Sequence, residues 1–228
     1  WNKEREGYIT LSNCCAPNVT RTIAEVSNYG YSFSKEGIYI NLYGSNILNT
    51  VTPNGEKMQL EQITNYPWDG KITIKILQAP KHDVAFFLRI PGWSQGAQIA
   101  VNQIGLTNSI VSGTYAKVEK QWKKGDVIEL TLPMNVELMQ ANPLVEETKN
   151  QVAVKRGPIV YCLESNQLPT SVGINEVALV TKAPTFEVKP MQLGNREVMS
   201  IQADVVFDTS ESFKDGTLYK PLSAKKTK

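Results

Sequence analysis

Ile72-Thr73-Ile74-Lys75-Ile76 alternates apolar and polar residues at every step. A period of two puts the three isoleucines on one face and Thr73 and Lys75 on the other, the pattern of a half-buried β-strand. β-branched residues suit that pleated surface. Upstream, Tyr66-Pro67-Trp68-Asp69-Gly70 reads as a turn, and Met58-Gln59-Leu60-Glu61-Gln62-Ile63 alternates in the same way. Pro53-Asn54-Gly55-Glu56 is a second turn, which pairs that strand with Asn46 to Val51. Further back, Ile38-Tyr39-Ile40-Asn41-Leu42-Tyr43 opens the alternating region just after Gly37.

Downstream, Ala85-Phe86-Phe87-Leu88-Arg89-Ile90 is more apolar and predicts a strand buried on both faces. Pro91-Gly92-Trp93 ends it. Gln98 to Val101 and Thr114 to Val118 predict shorter strands. Gln121-Trp122-Lys123-Lys124-Gly125-Asp126 turns into Val127-Ile128-Glu129-Leu130-Thr131-Leu132, which Pro133 closes. Many short strands separated by turn residues are the signature of a β-sandwich. The expected fold is therefore mainly β, with one or two β-sandwich domains.

A sandwich is expected over residues 31–140 and a second, smaller β region over 141–228, with the polar stretch 141–150 as linker or crossing connection. In the second region, residues 151–163 predict two strands around the Gly157-Pro158 bend. Cys162 sits among apolar residues there and reads as inert core. Val177 to Val180, Thr185 to Val188 and Met199 to Val206 continue the β pattern.

Before the strands comes a different period. Val19, Ile23 and Val26 recur at helical spacing, with Ala24 and Tyr29 flanking that face. Pro17 suits a first helical turn, and Gly30 stops the helix. Cys14 and Cys15 lie at the mouth of this helix, where the positive end of the dipole favours a thiolate. A thiolate is a nucleophile or a metal ligand. Buried cysteines are also common as inert small hydrophobes. A disulfide between such neighbours would need a strained ring. A zinc site needs about four ligands, and this pair supplies two at most. His82 is the only histidine, so further ligands must be carboxylates or residues beyond this chain.

With 24 basic and 22 acidic side chains the chain is close to neutral, which gives no electrostatic case for nucleic acid or for an anionic membrane surface. No apolar stretch approaches the length of a membrane span. Three cysteines, an odd number, argue against a disulfide framework. A short solitary helix is marginal without packing partners. Residues 1–30 are therefore expected to be the end of a larger helical domain, and the chain the C-terminal part of a longer protein.

Several stretches together carry a family resemblance. They are Cys14-Cys15-Ala16-Pro17-Asn18 with Arg21, Ile38 to Tyr43, Tyr66 to Gly70, Arg89-Ile90-Pro91-Gly92-Trp93, Trp122-Lys123-Lys124-Gly125-Asp126 with Leu132-Pro133-Met134, and Lys155 to Tyr161. In order and spacing the set resembles the C-terminal part of glycoside hydrolase family 127, the β-L-arabinofuranosidases and their relatives, from residue 8 to about 164. The resemblance implies an N-terminal (α/α)6 barrel, absent from this sequence except for its last piece, followed by β-sandwiches. It implies that Cys14 is the catalytic nucleophile, that Cys14 and Cys15 both contact zinc, and that the substrate is a plant-type oligosaccharide or glycoside. The family's acid/base glutamate and its other two zinc ligands, a glutamate and a cysteine, belong to the barrel. Glu4, Glu6 and Glu25 read as surface or helix-face residues and take no catalytic role.

Two other classes of function fit the same residues. One is a non-catalytic sugar-binding module with Trp68, Trp93 and Trp122 as stacking platforms. The other is a structural sandwich that covers a separately encoded barrel.

Overall fold

The computed structural model describes residues 15–52, 54–107 and 109–207. The sequence-predicted nucleophile Cys14, together with Glu4 and Glu6, lies outside them. The chain is mainly β and divides into two compact units, Trp1–Val160 and Tyr161–Lys228.

In the first unit, helix α1 (Cys15–Tyr29) leads into β1 (Tyr31–Phe33). The strands that follow are β2 (Ile38–Ile40), β3 (Asn46–Val51), β4 (Lys57–Thr64), β5 (Lys71–Gln78) and β6 (Val84–Arg89). After them come β7 (Gln98–Val101), β8 (Ile104–Gly105), β9 (Tyr115–Lys120) and β10 (Val127–Thr131). One sheet has the order β1-β2-β6-β9 and the other β3-β4-β5-β10-β7-β8. The alternation explains the layering. Ile72, Ile74 and Ile76 of β5 are almost completely buried, as are Met58 and Leu60 of β4 and Ile128 and Leu130 of β10. They meet Ile38, Ile40, Phe86, Leu88 and Val118 of the other sheet in one apolar core.

Four of the pairings in these two sheets are not sequential. β2 pairs with β6 in parallel, Tyr39 opposite Phe87, β6 pairs with β9, and β10 inserts between β5 and β7. β6 departs in part from burial on both faces. Val84, Ala85 and Phe86 are buried, but Phe87 faces outward under the Tyr39 ring, centroids 4.3 Å apart, and Arg89 is exposed. Gly37 and Gly70 hold close backbone approaches. A Cβ on Gly37 would lie 2.2 Å from the Ala85 carbonyl oxygen, and one on Gly70 would lie 1.9 Å from that of Leu132.

β11 (Val136–Gln140), β12 (Val152–Arg156) and β13 (Ile159–Tyr161) form a three-stranded sheet in that order. β11 reaches forward past the polar stretch to pair with β12, Leu138 opposite Val154. The turn between β12 and β13 places Gly157 at φ 57° against the Met134 side chain, as the Gly-Pro bend predicts.

The second unit carries β14 (Val177–Leu179) paired with β17 (Val205–Phe207), and a separate ribbon of β15 (Phe186–Leu193) with β16 (Arg196–Ala203). Here the expectation for Cys162 is corrected. β13 stops at Tyr161, and Cys162 is exposed beyond the strand end rather than buried in a core. The apolar run predicts a longer strand, but neither Val160 nor Leu163 is buried, so nothing extends the packing past Tyr161.

Candidate functional site

Helix α1 positions the one member of the cysteine pair that is described. Cys15 is the first residue of the helix and is exposed. One turn on, Asn18 accepts a hydrogen bond from Arg21 Nη2 at 2.8 Å, and Thr20 Oγ1 donates to the Ala16 carbonyl at 3.0 Å. The apolar stripe predicted along this helix has the expected spacing but no cover among the described residues. Val19, Ile23 and Val26 are 58, 67 and 50% exposed. Glu25, the nearest in sequence among the described carboxylates, accepts from Tyr29 Oη at 3.3 Å and so has a helix-face role.

The far end of the helix is held by the sandwich. Gly30 does not adopt the positive φ of a glycine cap. No basic side chain sits in the last turn either. The terminal carbonyls are met instead by Asn41, which sequence reasoning missed. Its backbone N–H donates to the Gly30 oxygen at 2.9 Å, and its Nδ2 donates to the Tyr29 oxygen at 3.4 Å and to Ser32 Oγ at 2.7 Å. Asn41 Oδ1 accepts from Tyr115 Oη at 2.7 Å, and its carbonyl accepts from Arg89 Nη1 at 3.1 Å. The only available sequence signal was an asparagine where a strand's apolar alternation would otherwise continue.

Three further tyrosines of the sandwich have partly or largely buried phenols. Tyr43 Oη donates to the Arg89 carbonyl at 2.7 Å, and burial pushes its pKa far above the usual phenol range. Burial also raises Tyr31 and Tyr66. These phenols stay protonated at neutral pH and act as hydrogen-bond donors. Gln62, buried in the sandwich, donates to Tyr31 Oη at 2.6 Å, and Tyr31 donates in turn to Asn46 Oδ1 at 2.7 Å.

The three tryptophans are not equivalent. Trp122 is 2% exposed, its Nε1 donates to the Val84 carbonyl at 2.7 Å, and its ring packs on Phe86. A ring so enclosed cannot stack on a sugar, which removes Trp122 as a platform. Trp93 packs against the core and Trp68 is half-buried at its turn. A depression of about 450 Å³ on the outer face of the six-stranded sheet is lined by Gln98, Ala100, Glu129 and Thr131 among others. None of the cysteine or tyrosine groups above borders it.

Among the described residues no group of three or more His, Cys, Asp or Glu side chains gathers as a metal site. Cys15 is an exposed thiol with the donor chemistry zinc prefers, so it suits a zinc ligand but does not complete a site. No helix among the described residues is long and apolar enough to cross a membrane.

A two-sheet sandwich, fed from a helix headed by cysteine and followed by a second β unit, defines a mainly β sandwich protein. The profile for the β-L-arabinofuranosidase, GH127 middle domain, matches residues 37–134, and that for the glycoside hydrolase family 127 C-terminal domain matches residues 136–208. The chain belongs to glycoside hydrolase family 127. A non-reducing end β-L-arabinofuranosidase from Bifidobacterium longum subsp. longum is 36% identical over 162 residues, 68% of this chain and 24% of that protein. A solved glycoside hydrolase superposes with a TM-score of 0.88 at 38% identity, covering 98% of this chain and 37% of that one. The crystal structure of a GH127 β-L-arabinofuranosidase from Geobacillus stearothermophilus superposes with a TM-score of 0.80 at 30% identity, covering 92% of this chain and 32% of that one. The chain thus spans from 24 to 37% of the length of these relatives.

Proposed function

We propose that this chain is the sandwich part of a retaining glycoside hydrolase that acts on β-L-arabinofuranosides, with Cys14 as nucleophile and Cys14 and Cys15 as zinc ligands. The observation that carries the reading is one of continuity. A helix headed by Cys15, the residue that follows Cys14 in sequence, runs directly into β1, and the family match begins at residue 37. The curated relative is a non-reducing end β-L-arabinofuranosidase, which supplies the substrate class.

Bound zinc would supply charge that keeps both thiols deprotonated at neutral pH. Cys14 Sγ attacks the anomeric carbon. The sulfur–carbon bond forms, the bond to the leaving oxygen breaks, and a carboxylic acid gives that oxygen its proton. Water then attacks the same carbon and gives a proton to the carboxylate that the first step left, the carbon–sulfur bond breaks, and the acid and the thiolate are both regenerated. Two displacements retain the anomeric configuration. The acid is not Glu25, which lies about 15 Å along the helix from Cys15 at 1.5 Å per residue. The acid and the remaining zinc ligands come from outside the described residues, in a helical domain whose surface also covers the Val19, Ile23 and Val26 stripe.

Cobalt titration of the purified chain under reducing conditions tests the metal half of the reading. A thiolate-to-cobalt charge-transfer band that weakens in both Cys14→Ser and Cys15→Ser is expected, and a band of unchanged intensity in both variants would remove the pair as ligands. An assay with an aryl β-L-arabinofuranoside and zinc tests the division of labour. No turnover by this chain is expected, because losing the general acid costs about 10²–10⁴-fold and losing the pocket costs more. Turnover that vanishes in Cys14→Ser would place the acid within this chain and reject the half-site.

A further inference from the structure

The geometry points to a carbohydrate-binding site on the outer face of the six-stranded sheet, in the depression over β7 and β10, that takes one ring of a neutral sugar. Neither cysteine of the pair is needed to build it. Only the choice of an arabinoside as first ligand rests on the proposed function.

Three polar side chains come together there. Thr131 lies opposite Gln98 in the β10–β7 ladder, and Glu129 lies opposite Ala100. Opposed side chains on one sheet face sit about 5 Å apart, and residues two apart on a strand about 7 Å. Carboxylate, amide and hydroxyl thus border a patch about as wide as a single sugar ring. All three side chains are exposed, and none has a hydrogen-bond or ion-pair partner among the described residues. Glu61, on the same face, is directly opposite Lys75. Glu129 instead faces Thr73 on one side and Ala100 on the other. Its diagonal neighbours Lys71 and Lys75 neither pair with it nor line the depression.

The floor adds an independent observation. Ala100 pairs with Gly105 of β8. Gly105 does not have a positive φ, and a Cβ there would meet nothing within 4 Å. Neither backbone nor neighbour therefore requires glycine. Glycine inside a strand costs stability and often marks a place where a ligand comes close. The space left open belongs to a depression of about 450 Å³, a volume typical of small-ligand sites. Leu106 and Ile110 border it with apolar surface and are themselves packed on the core.

The lining selects the ligand. A sugar ring presents C–H groups on its faces and hydroxyls around its rim. The C–H groups rest on Ala100, Gly105 and Ile110. The hydroxyls donate to the Glu129 carboxylate and exchange hydrogen bonds with Gln98 and Thr131. Glu129 is the one charge in the lining, so phosphate or a uronic acid is repelled and a neutral ring is favoured. With no aromatic ring in the lining, the expected Kd is about millimolar.

The test is a nitrogen–proton correlation NMR titration of the full chain. Methyl β-L-arabinofuranoside should give saturable shifts centred on residues 98–100 and 129–131, and D-galacturonate should bind several-fold more weakly. Glu129→Gln should weaken binding about tenfold. Gly105→Val, which fills the open space, should abolish it. Glu61→Gln, the same charge change elsewhere on this face, should leave it unchanged, as should Cys14→Ser. If Gly105→Val fails to fold, Glu129→Gln and Glu61→Gln carry the test. The site is overturned if no neutral sugar gives saturable shifts, if glycerol or calcium chloride gives the same ones, or if they persist undiminished in Glu129→Gln. Binding of methyl β-D-xylopyranoside but not of the arabinoside would leave the site standing and count against the arabinoside reading. A cobalt band that responds to Cys14→Ser, in a chain that binds no sugar, would reject the site and leave the thiol reading standing.

Discussion

Arg156 Nη1 of β12 donates a hydrogen bond to the carbonyl oxygen of Trp68 at 2.9 Å, joining residues 88 positions apart in sequence. The bond ties the small sheet to the Tyr66–Gly70 turn of the sandwich. The guanidinium is partly buried, and its Nε has no hydrogen-bond partner among the described residues. Arg156→Lys keeps the charge but loses the planar fork. It is expected to lower stability by about 1 kcal/mol, and Arg156→Ala by about 1–3 kcal/mol. Urea unfolding midpoints at constant slope measure both, and unchanged midpoints would show that the contact contributes nothing.

Trp122 gives a sharper test of its core assignment. Trp122→Ala should cost about 3–5 kcal/mol through the cavity it leaves. Trp122→Phe should cost less, losing mainly the bond to the Val84 carbonyl and part of the volume. Thermal unfolding followed by near-ultraviolet circular dichroism reports both changes. A sugar titration that perturbs Trp122 fluorescence in the folded protein would contradict the burial.

Asp126 sets a pH dependence. Burial alone would raise its pKa, but Asn102 Nδ2, the Lys123 N–H and Lys120 together outweigh that and hold it below the usual carboxylate range. A carboxylate with a depressed folded-state pKa stabilises the fold above its unfolded value. That contribution is lost as pH falls through the folded value. Wild-type stability should therefore fall as pH drops below about 4. Asp126→Asn should be less stable at neutral pH and should converge on wild type in acid. Parallel stability curves for the two proteins at all pH values would reject the assignment.

The uncovered stripe of α1 predicts association. Val19, Ile23 and Val26 together form an apolar patch of the kind that seeks a partner. Ile23→Glu should reduce both self-association in sedimentation and binding of an apolar dye. The unfolding temperature should stay nearly unchanged, because the side chain contributes nothing to the core. A large loss of stability in this variant would mean that the helix face is packed.

The strands were legible in the sequence because burial on one face imposes a period of two on every element of a sandwich. Ile72, Ile74 and Ile76 declare their face without reference to any partner, and Val19, Ile23 and Val26 declare a helix in the same way. The helix start at Cys15 was legible because a helix start is a local signal. Partner choice was not. Nothing in Ile38–Ile40 says that its neighbour is Val84–Arg89 running parallel, because backbone hydrogen bonds carry no residue identity. Trp122 beside its turn fitted a stacking platform as well as core packing, and only the carbonyl of Val84 and the Phe86 ring make it core. Cys162 looked like core because its neighbours are apolar, but apolar neighbours bury a thiol only where another layer closes over them. Asn41 broke the alternation without explaining itself. Its role depends on Tyr29, Ser32, Arg89 and Tyr115 arriving at one point, and that convergence exists only once both sheets are assembled.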